Sequence, residues 1–339
     1  MAISGTFSRL HQLDISFNGS FSYMNGVKRV VISLFNWNGN VEFPQGVEYA
    51  SITGNTFNGR ITYPLSAKTI TVRSANFNRD INIPTSVKTI FLDYCSNFNR
   101  PITFLPSTRV SMSYCTNFNQ EVDIPDSGTQ VSFFNAFYNC CNLNSIVNVG
   151  STVNNATNMF YNCVKLNKGI RINNGVKICD RMFSHCTSLD QPIAIPNSVT
   201  SVKGMFTGCS NLSYPVTLGN SIQFANAMFS SCVKFNHPVT LPNTVTSCHT
   251  MFAGCEAFDQ PITIPNSVTS CYGMFTGCNH LHQSINIPNS VNNCESMFAG
   301  CTNMKNVLIF TPVRHVVQSE TGYGVNGWSE EANNCIVPY

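Results

Sequence analysis

The residues best suited to chemistry in this chain are its sixteen cysteines and seven histidines, so metal binding and nucleophilic catalysis are weighed first. Seven cysteines, Cys163, Cys186, Cys209, Cys232, Cys255, Cys278 and Cys301, recur at a constant 23-residue step. A second column, Cys179, Cys248, Cys271 and Cys294, runs seven residues ahead of the first. A tetrahedral zinc site closes on pairs two to four residues apart, whereas this spacing is the phase of a repeat. Val202 and Ala225 occupy the second column in two units, so that slot takes a small apolar group, as buried free thiols do. Neighbouring coils bring alpha carbons within disulfide reach, which leaves isolated bridges open; Cys140, Cys141 and Cys335 fall partly outside the columns.

The other catalytic patterns are weaker. The histidines, among them His185, His249 and His280, are scattered over different phases of the repeat, and acids are sparse, so no Ser/His/acid set converges. Paired carboxylates for glycoside cleavage would need acids in one phase on adjacent coils, but Asp123 is flanked in phase by Thr103 and Asn148. No glycine-rich phosphate loop is present. The expectation is a non-enzymatic protein with no catalytic residue, cofactor or metal.

The elements that carry these columns repeat along nearly the whole chain. Met-Phe pairs recur from Met159-Phe160 to Met297-Phe298, each Phe followed three residues later by a cysteine, and Phe137 with Cys140 extends the series one step earlier. In the front half the aromatic-Asn pairs Phe17-Asn18, Trp37-Asn38, Phe57-Asn58, Phe77-Asn78, Phe98-Asn99 and Phe118-Asn119 recur every 20 or 21 residues. They align with Leu143, Leu166, Leu189, Leu212, Phe235, Phe258, Leu281 and Met304, making about fourteen units. Within a unit, Ile262-Thr263-Ile264 alternates in-out-in as a short strand, and Pro265 ends it because proline lacks the ladder N–H. Short units continue with a second alternation such as Thr89 to Asp93; in long units the Met-Phe segment reads as a short helical or 3₁₀ turn. The Asn after each aromatic predicts a buried ladder between coils. A single coil cannot bury its apolar side alone, so the fold is a solenoid stabilised by stacking.

Only 10% of residues are charged, with 43 Asn replacing the usual charge, and the net charge of +3 comes without any Lys/Arg run. Nucleic-acid binding is thereby disfavoured. No stretch reaches the roughly 18 apolar residues of a membrane span, and Met1 to Gly26 holds no signal-peptide core.

The M-F-x-x-C-x-x-[LF]-[ND]-x-P-I-x-I-P-x-S-V unit resembles the BspA-type leucine-rich repeats of bacterial surface proteins, and the shorter F-N-x-x-I-x-I-P-x-S-V unit resembles FNIP arrays. The resemblance spans about residues 15–310. It implies a β-rich, right-handed leucine-rich-repeat-like solenoid and a role in adhesion or protein recognition, with no family catalytic residue to carry over. The expected organisation is an N-terminal edge segment (1–16), a short-repeat half (17–136), a 23-residue-repeat half (137–310) and a C-terminal cap (311–339). An adhesin-like body without an export signal suggests a protein made in the cytoplasm and released in a virion; the alternative is a cytosolic or host-directed scaffold.

The outward position of the short strand runs Glu42, Thr62, Asn82, Thr103, Asp123, Asn148, Arg171 and then becomes plainer, with Thr217, Thr240 and Thr263. The heterogeneous stretch from Glu42 to Arg171 is the candidate binding face, for a protein partner or a cell-surface glycan. The ends are the other candidates. Little chain precedes Phe17, although Ser4 to Asp14 can pair as one edge strand, so Phe21 and Val41 are expected to contact a second copy or a larger appendage protein. Tyr323 and Trp328 cover the last coil or form an aromatic tip.

Overall fold

In the computed structural model, which describes residues 12–16, 26–33, 39–304, 307–312, 317–319, 322–324 and 328–338, the chain is a parallel β-solenoid of about 14 turns with almost no helix. The second alternation of each short unit builds one face. Strands β1 (Gln12–Ser16), β2 (Arg29–Ser33), β4 (Tyr49–Thr53), β6 (Thr69–Arg73), β7 (Thr89–Phe91) and β8 (Arg109–Ser111) form a parallel six-stranded sheet in that order. Val30, Ala50, Ile70, Ile90 and Val110 align across it and are buried. β1 overlaps only the end of the Ser4–Asp14 segment expected to pair as an edge strand, the rest of which lies outside the described residues, and it pairs along its length with β2.

The short strands of the first alternation form the second face. β3 (Val41–Glu42) pairs with β5 (Ile61–Thr62), and Val122–Asp123, Val147–Val149 and Ile170–Ile172 form a further parallel ladder. The paired stretch is two residues long where Pro44, Pro64 or Pro125 follows and three where Gly150 or Asn173 stands instead, because proline lacks the ladder N–H.

The Met-Phe segment, expected as a short helical or 3₁₀ turn, is not a helix and keeps only the i→i+3 bonding of the 3₁₀ reading. Its N–H groups alternate between two kinds of partner. Met159, Tyr161 and Cys163 donate within the coil to the carbonyls of Ala156, Asn158 and Phe160. Ala156, Asn158, Phe160 and Asn162 donate to Ile178, Asp180, Met182 and Ser184 on the next coil. The result is a train of β-turns that also ladders between coils. A helix would consume its own donors and leave the neighbouring carbonyls unpaired in a buried stack. Bending this tightly requires left-handed residues. The position before each cysteine has positive φ in ten coils, from Tyr94 (φ 64) through Asn162 (φ 58) and His185 (φ 61) to Gly300 (φ 73). Asn and Gly tolerate that region best.

The core is a column of twelve phenylalanines, Phe57 through Phe298, with neighbouring ring centroids 5.3 to 6.1 Å apart. Phe118, from an aromatic-Asn pair, stacks on Phe137, from the Met-Phe position, at 6.0 Å. The sequence alignment puts these two rings in different columns; the structure joins them. Trp328 closes the far end of the column. Its ring meets Phe298 edge-on at 4.7 Å, its indole N–H donates to the Cys294 carbonyl at 2.9 Å, and it is 7% exposed. The one α-helix among the described residues, Glu330–Asn333, follows it, with the Ser329 hydroxyl accepting from the Ala332 N–H.

Candidate binding face

The outward residues stand where the alternation puts them. Glu42, Thr62, Asn82, Thr103, Asp123 and Arg171 are exposed. Asn148 is half-buried, because its amide donates to Asp123 at 2.7 Å in the ladder that aligns Asp123, Asn148 and Arg171. Two hollows gather part of this column. Thr62 and Asn82 line one of about 400 Å³ together with Arg60, Arg79, Asp80 and Arg100. Arg171 lines another of about 420 Å³ with Asp126, Ser151 and Asn173. Glu42, Thr103, Asp123 and Asn148 line neither.

Alternation along the strand does not single out the three arginines of the first hollow, yet the repeat phase holds a signal for two of them. Arg79 and Arg100 follow the Asn of consecutive aromatic-Asn pairs, and the same position holds Gly59 before them and Gln120 after. From Arg79 onward each of these side chains is tied to the coil behind it. Arg79 Nε donates to the Asn58 carbonyl at 2.9 Å, Arg100 Nε to the Asn78 carbonyl at 3.4 Å, and the Gln120 amide to Asn99. The row starts at Arg79 because a Cβ on Gly59 would collide with the Gly39 carbonyl oxygen. Among the described residues none of Arg60, Arg79 or Arg100 has a carboxylate within ion-pair distance; the ion pairs are Lys28–Glu48, Arg73–Asp93 and His282–Asp259. In the second hollow, hydrogen bonds from the Asn173 amide and the Ser151 N–H, with Arg171 nearby, hold the Asp126 carboxyl below the usual carboxylate range.

The Asn ladder differs from the expectation of a buried one. It lies at the surface, and each side-chain oxygen accepts the backbone N–H of its counterpart on the next coil. Asn58 accepts from Asn78, Asn78 from Asn99, Asn99 from Asn119 and Asn119 from Asn144, all at 2.7 to 3.0 Å. A second ladder two residues earlier, Asn76, Asn97, Asn117 and Asn142, bonds amide to amide. An aromatic row runs along another edge, with Tyr94 stacked on Tyr114, Tyr138 stacked on Tyr161 and Tyr114 tilted against Tyr138.

Fourteen of the sixteen cysteines are buried thiols, and Cys141 and Cys335 are half-buried thiols. Each main-column thiol donates to the carbonyl of a phenylalanine on the preceding coil, as Cys209 does to Phe183 at 3.1 Å and Cys255 to Phe229 at 2.9 Å. Burial pushes the Cys95 and Cys255 thiols up to about 12. Such thiols are poor nucleophiles, since the thiolate is the reactive form. No group of three or more His, Cys, Asp and Glu placed to hold a metal occurs among the described residues.

The end residues are placed less uniformly. Val41 is buried at 2% exposure and pairs with Ile61, so it is a core residue of the coil rather than an exposed contact. Trp328 is likewise spent on the cap. Tyr323 lies on Gly322–Gly324, which pairs antiparallel with Val317–Ser319, and its side chain lies outside the described residues, as does Phe21 altogether. Among the described residues no helix is long and apolar enough to cross a membrane.

Residues 110–236 match the BspA-type leucine-rich-repeat region in six copies, and residues 219–311 match a family described as a Mycoplasma protein of unknown function, DUF285. A crystal structure of a leucine-rich repeat protein from Bacteroides ovatus superposes with TM-score 0.55 at 17% identity, over 92% of this chain and 90% of that one. A leucine-rich cell surface protein from Faecalibacterium prausnitzii (19% identity, 85% of this chain and 88% of that one) has TM-score 0.33. CroV588, a circular leucine-rich-repeat protein (16% identity, 80% and 52%), has the same score. No curated protein sequence matches significantly. Residues 110–236 thus match BspA-type leucine-rich repeats and lie within a parallel solenoid, similar in fold to a leucine-rich repeat protein, whose coils continue on both sides of them.

Proposed function

We propose that this chain is a non-enzymatic recognition rod, a structural and binding component of a virion or surface appendage, whose contact surface is the outward strand face from Glu42 to Arg171. The observation that carries the reading is the contrast along that face. Its first part carries two carboxylates, an arginine and two amides beside Thr62 and Thr103, with two polar hollows opening along it, while the later part carries Ala194, Thr217, Thr240, Thr263 and Asn286 and no charge at the same repeat position. A face needed only for solubility has no reason to change character halfway along an otherwise regular repeat. Leucine-rich-repeat scaffolds mediate protein recognition, which supports a protein partner here. The other end of the assembly is β1, which has one neighbouring strand, β2, among the described residues, so its second edge is suited to pairing with a further chain.

The test places a photo-crosslinking residue at Asn82 in one sample and at Thr240 in another, both exposed and at the same repeat position of their coils. In extracts or particles from the source, a discrete adduct from Asn82 and none from Thr240 is expected. Equal crosslinking at both positions, or none at Asn82, refutes the face assignment.

A further inference from the structure

We propose that the hollow around Arg60, Arg79 and Arg100 binds an acidic sugar residue, one carrying a carboxylate beside ring hydroxyls. This rests on reading the strand face as the contact surface, and it names the chemical class of ligand for one part of it. Three guanidinium groups from consecutive coils meet in one hollow of a chain that is only 10% charged. None is neutralised by a carboxylate within ion-pair distance among the described residues. Arg79 and Arg100 each spend Nε on a backbone carbonyl of the previous coil. That bond fixes the side chain and leaves the Nη donors without a partner among the described residues, a preorganised fork for an oxyanion.

Asp80 decides what kind of anion. It lies in the same hollow, beside Thr62 and Asn82. A ligand that is anionic all over, such as a nucleic acid backbone, would meet its carboxylate with repulsion. A ligand with one carboxylate and adjacent hydroxyls uses every group present: the arginines take the acid, Asp80 accepts from a hydroxyl, and Thr62 and Asn82 donate or accept around the ring. A volume of about 400 Å³ lies within the range of small-ligand sites. The hollow at Arg171 does not fit as well, since Asp126 already supplies the negative charge there.

Saturation-transfer NMR and calorimetry on the full chain at constant ionic strength test this with sodium glucuronate, methyl glucoside and sodium acetate. Glucuronate should bind saturably and at least tenfold more tightly than either single-feature probe. Arg79→Ala and Arg100→Ala should each weaken it about tenfold, and Asp80→Asn should reduce the preference for glucuronate over acetate while leaving acetate binding no weaker. All three positions are exposed, so the variants should keep the wild-type circular dichroism. Equal affinity for acetate and glucuronate overturns the sugar assignment, and glucuronate binding unchanged in Arg79→Ala/Arg100→Ala overturns the site. A chain that still crosslinks its partner from Asn82 but ignores glucuronate overturns this proposal and leaves the contact face standing.

Discussion

Raising the pH from 7 to 9 under reducing conditions should destabilise this protein far more than a typical domain of its size. Eleven buried thiols, Cys95, Cys115, Cys140, Cys163, Cys179, Cys186, Cys209, Cys232, Cys255, Cys271 and Cys278, are held above the ordinary thiol range, all but Cys271 chiefly by burial. For Cys271 the largest cause is its hydrogen bond with Cys248. The folded chain keeps these protons while the unfolded chain releases them near pH 8.5. Stability from this source is therefore complete below about pH 8 and falls as pH rises towards the folded values, about 12 for Cys95 and Cys255. At pH 9 an unfolded thiol of pKa about 8.5 gains roughly 0.8 kcal/mol from ionisation. Summed over the eleven, the shift is on the order of 9 kcal/mol, comparable with the whole stability of many domains.

Urea denaturation followed by far-UV circular dichroism, in a phosphine reductant at pH 7 and pH 9, measures the effect. A variant with Cys209, Cys232, Cys255 and Cys278 all changed to Ser isolates the thiols from lysine and tyrosine titration. It should be about 3 kcal/mol less sensitive to the same pH step than wild type. Because coils open locally in a solenoid, the loss is expected as a broadened transition as well as a lowered midpoint. Equal pH sensitivity of wild type and variant would refute the reasoning, whatever the absolute stability.

Other outcomes follow from the packing. Phe206→Ala removes a ring stacked between Phe183 and Phe229 and should cost roughly 3–5 kcal/mol, whereas Thr240→Ala on the outward face should stay within about 0.5 kcal/mol by the same denaturation assay. Thr250 holds a left-handed backbone at φ 48, so Thr250→Gly should raise the urea midpoint, by an amount equivalent to about 1 kcal/mol. Trp328→Ala should speed amide exchange in the coil of Cys294 to Cys301 and leave coils near Phe160 unchanged; uniform acceleration would show that the cap is not local.

The sequence made the solenoid legible because every coil repeats the same inward positions, and Phe, Met and Cys at those positions are buried as the alternation requires. It misled in the Met-Phe segment for a local reason. Met159-Phe160 spaced from Cys163 and Leu166 has helical periodicity, but the donors of Phe160 and Asn162 are claimed by the next coil, a demand no single-coil pattern reveals. The Asn columns were visible as a repeat, yet their exposure was not, since an Asn that accepts a neighbouring backbone N–H serves equally at a surface. The column Glu42 to Arg171 was legible from alternation alone. The hollow was not, because Arg79 and Arg100 sit outside the strand, and only the stacking of coils brings them beside Thr62 and Asn82.

The two repeat lengths bear directly on what the face can do. A change of step from 20 to 23 residues could divide a solenoid into two bodies that move separately. Here three independent rows cross the change. The ring column passes from Phe118 to Phe137 at 6.0 Å, the Asn ladder passes from Asn119 to Asn144 at 2.7 Å, and the outward strand position passes from Asp123 to Asn148 to Arg171 in parallel register. The extra residues fall between Gly128 and Ala136, ahead of the β-turn train, since Ser107 still meets Gly128 and Thr129 while Met112 and Tyr114 already donate to Ala136 and Tyr138. Core, edge and outward strand therefore keep their spacing through the junction. A partner laid along the outward strand position meets one continuous parallel ladder from Asp123 to Arg171 across the change of step. Lengthening the junction by one residue between Gly128 and Gln130, in the exposed turn, should leave crosslinking from Asn82 intact. One residue added between Glu121 and Val122 inverts the strand's in-out alternation at the junction and should abolish it.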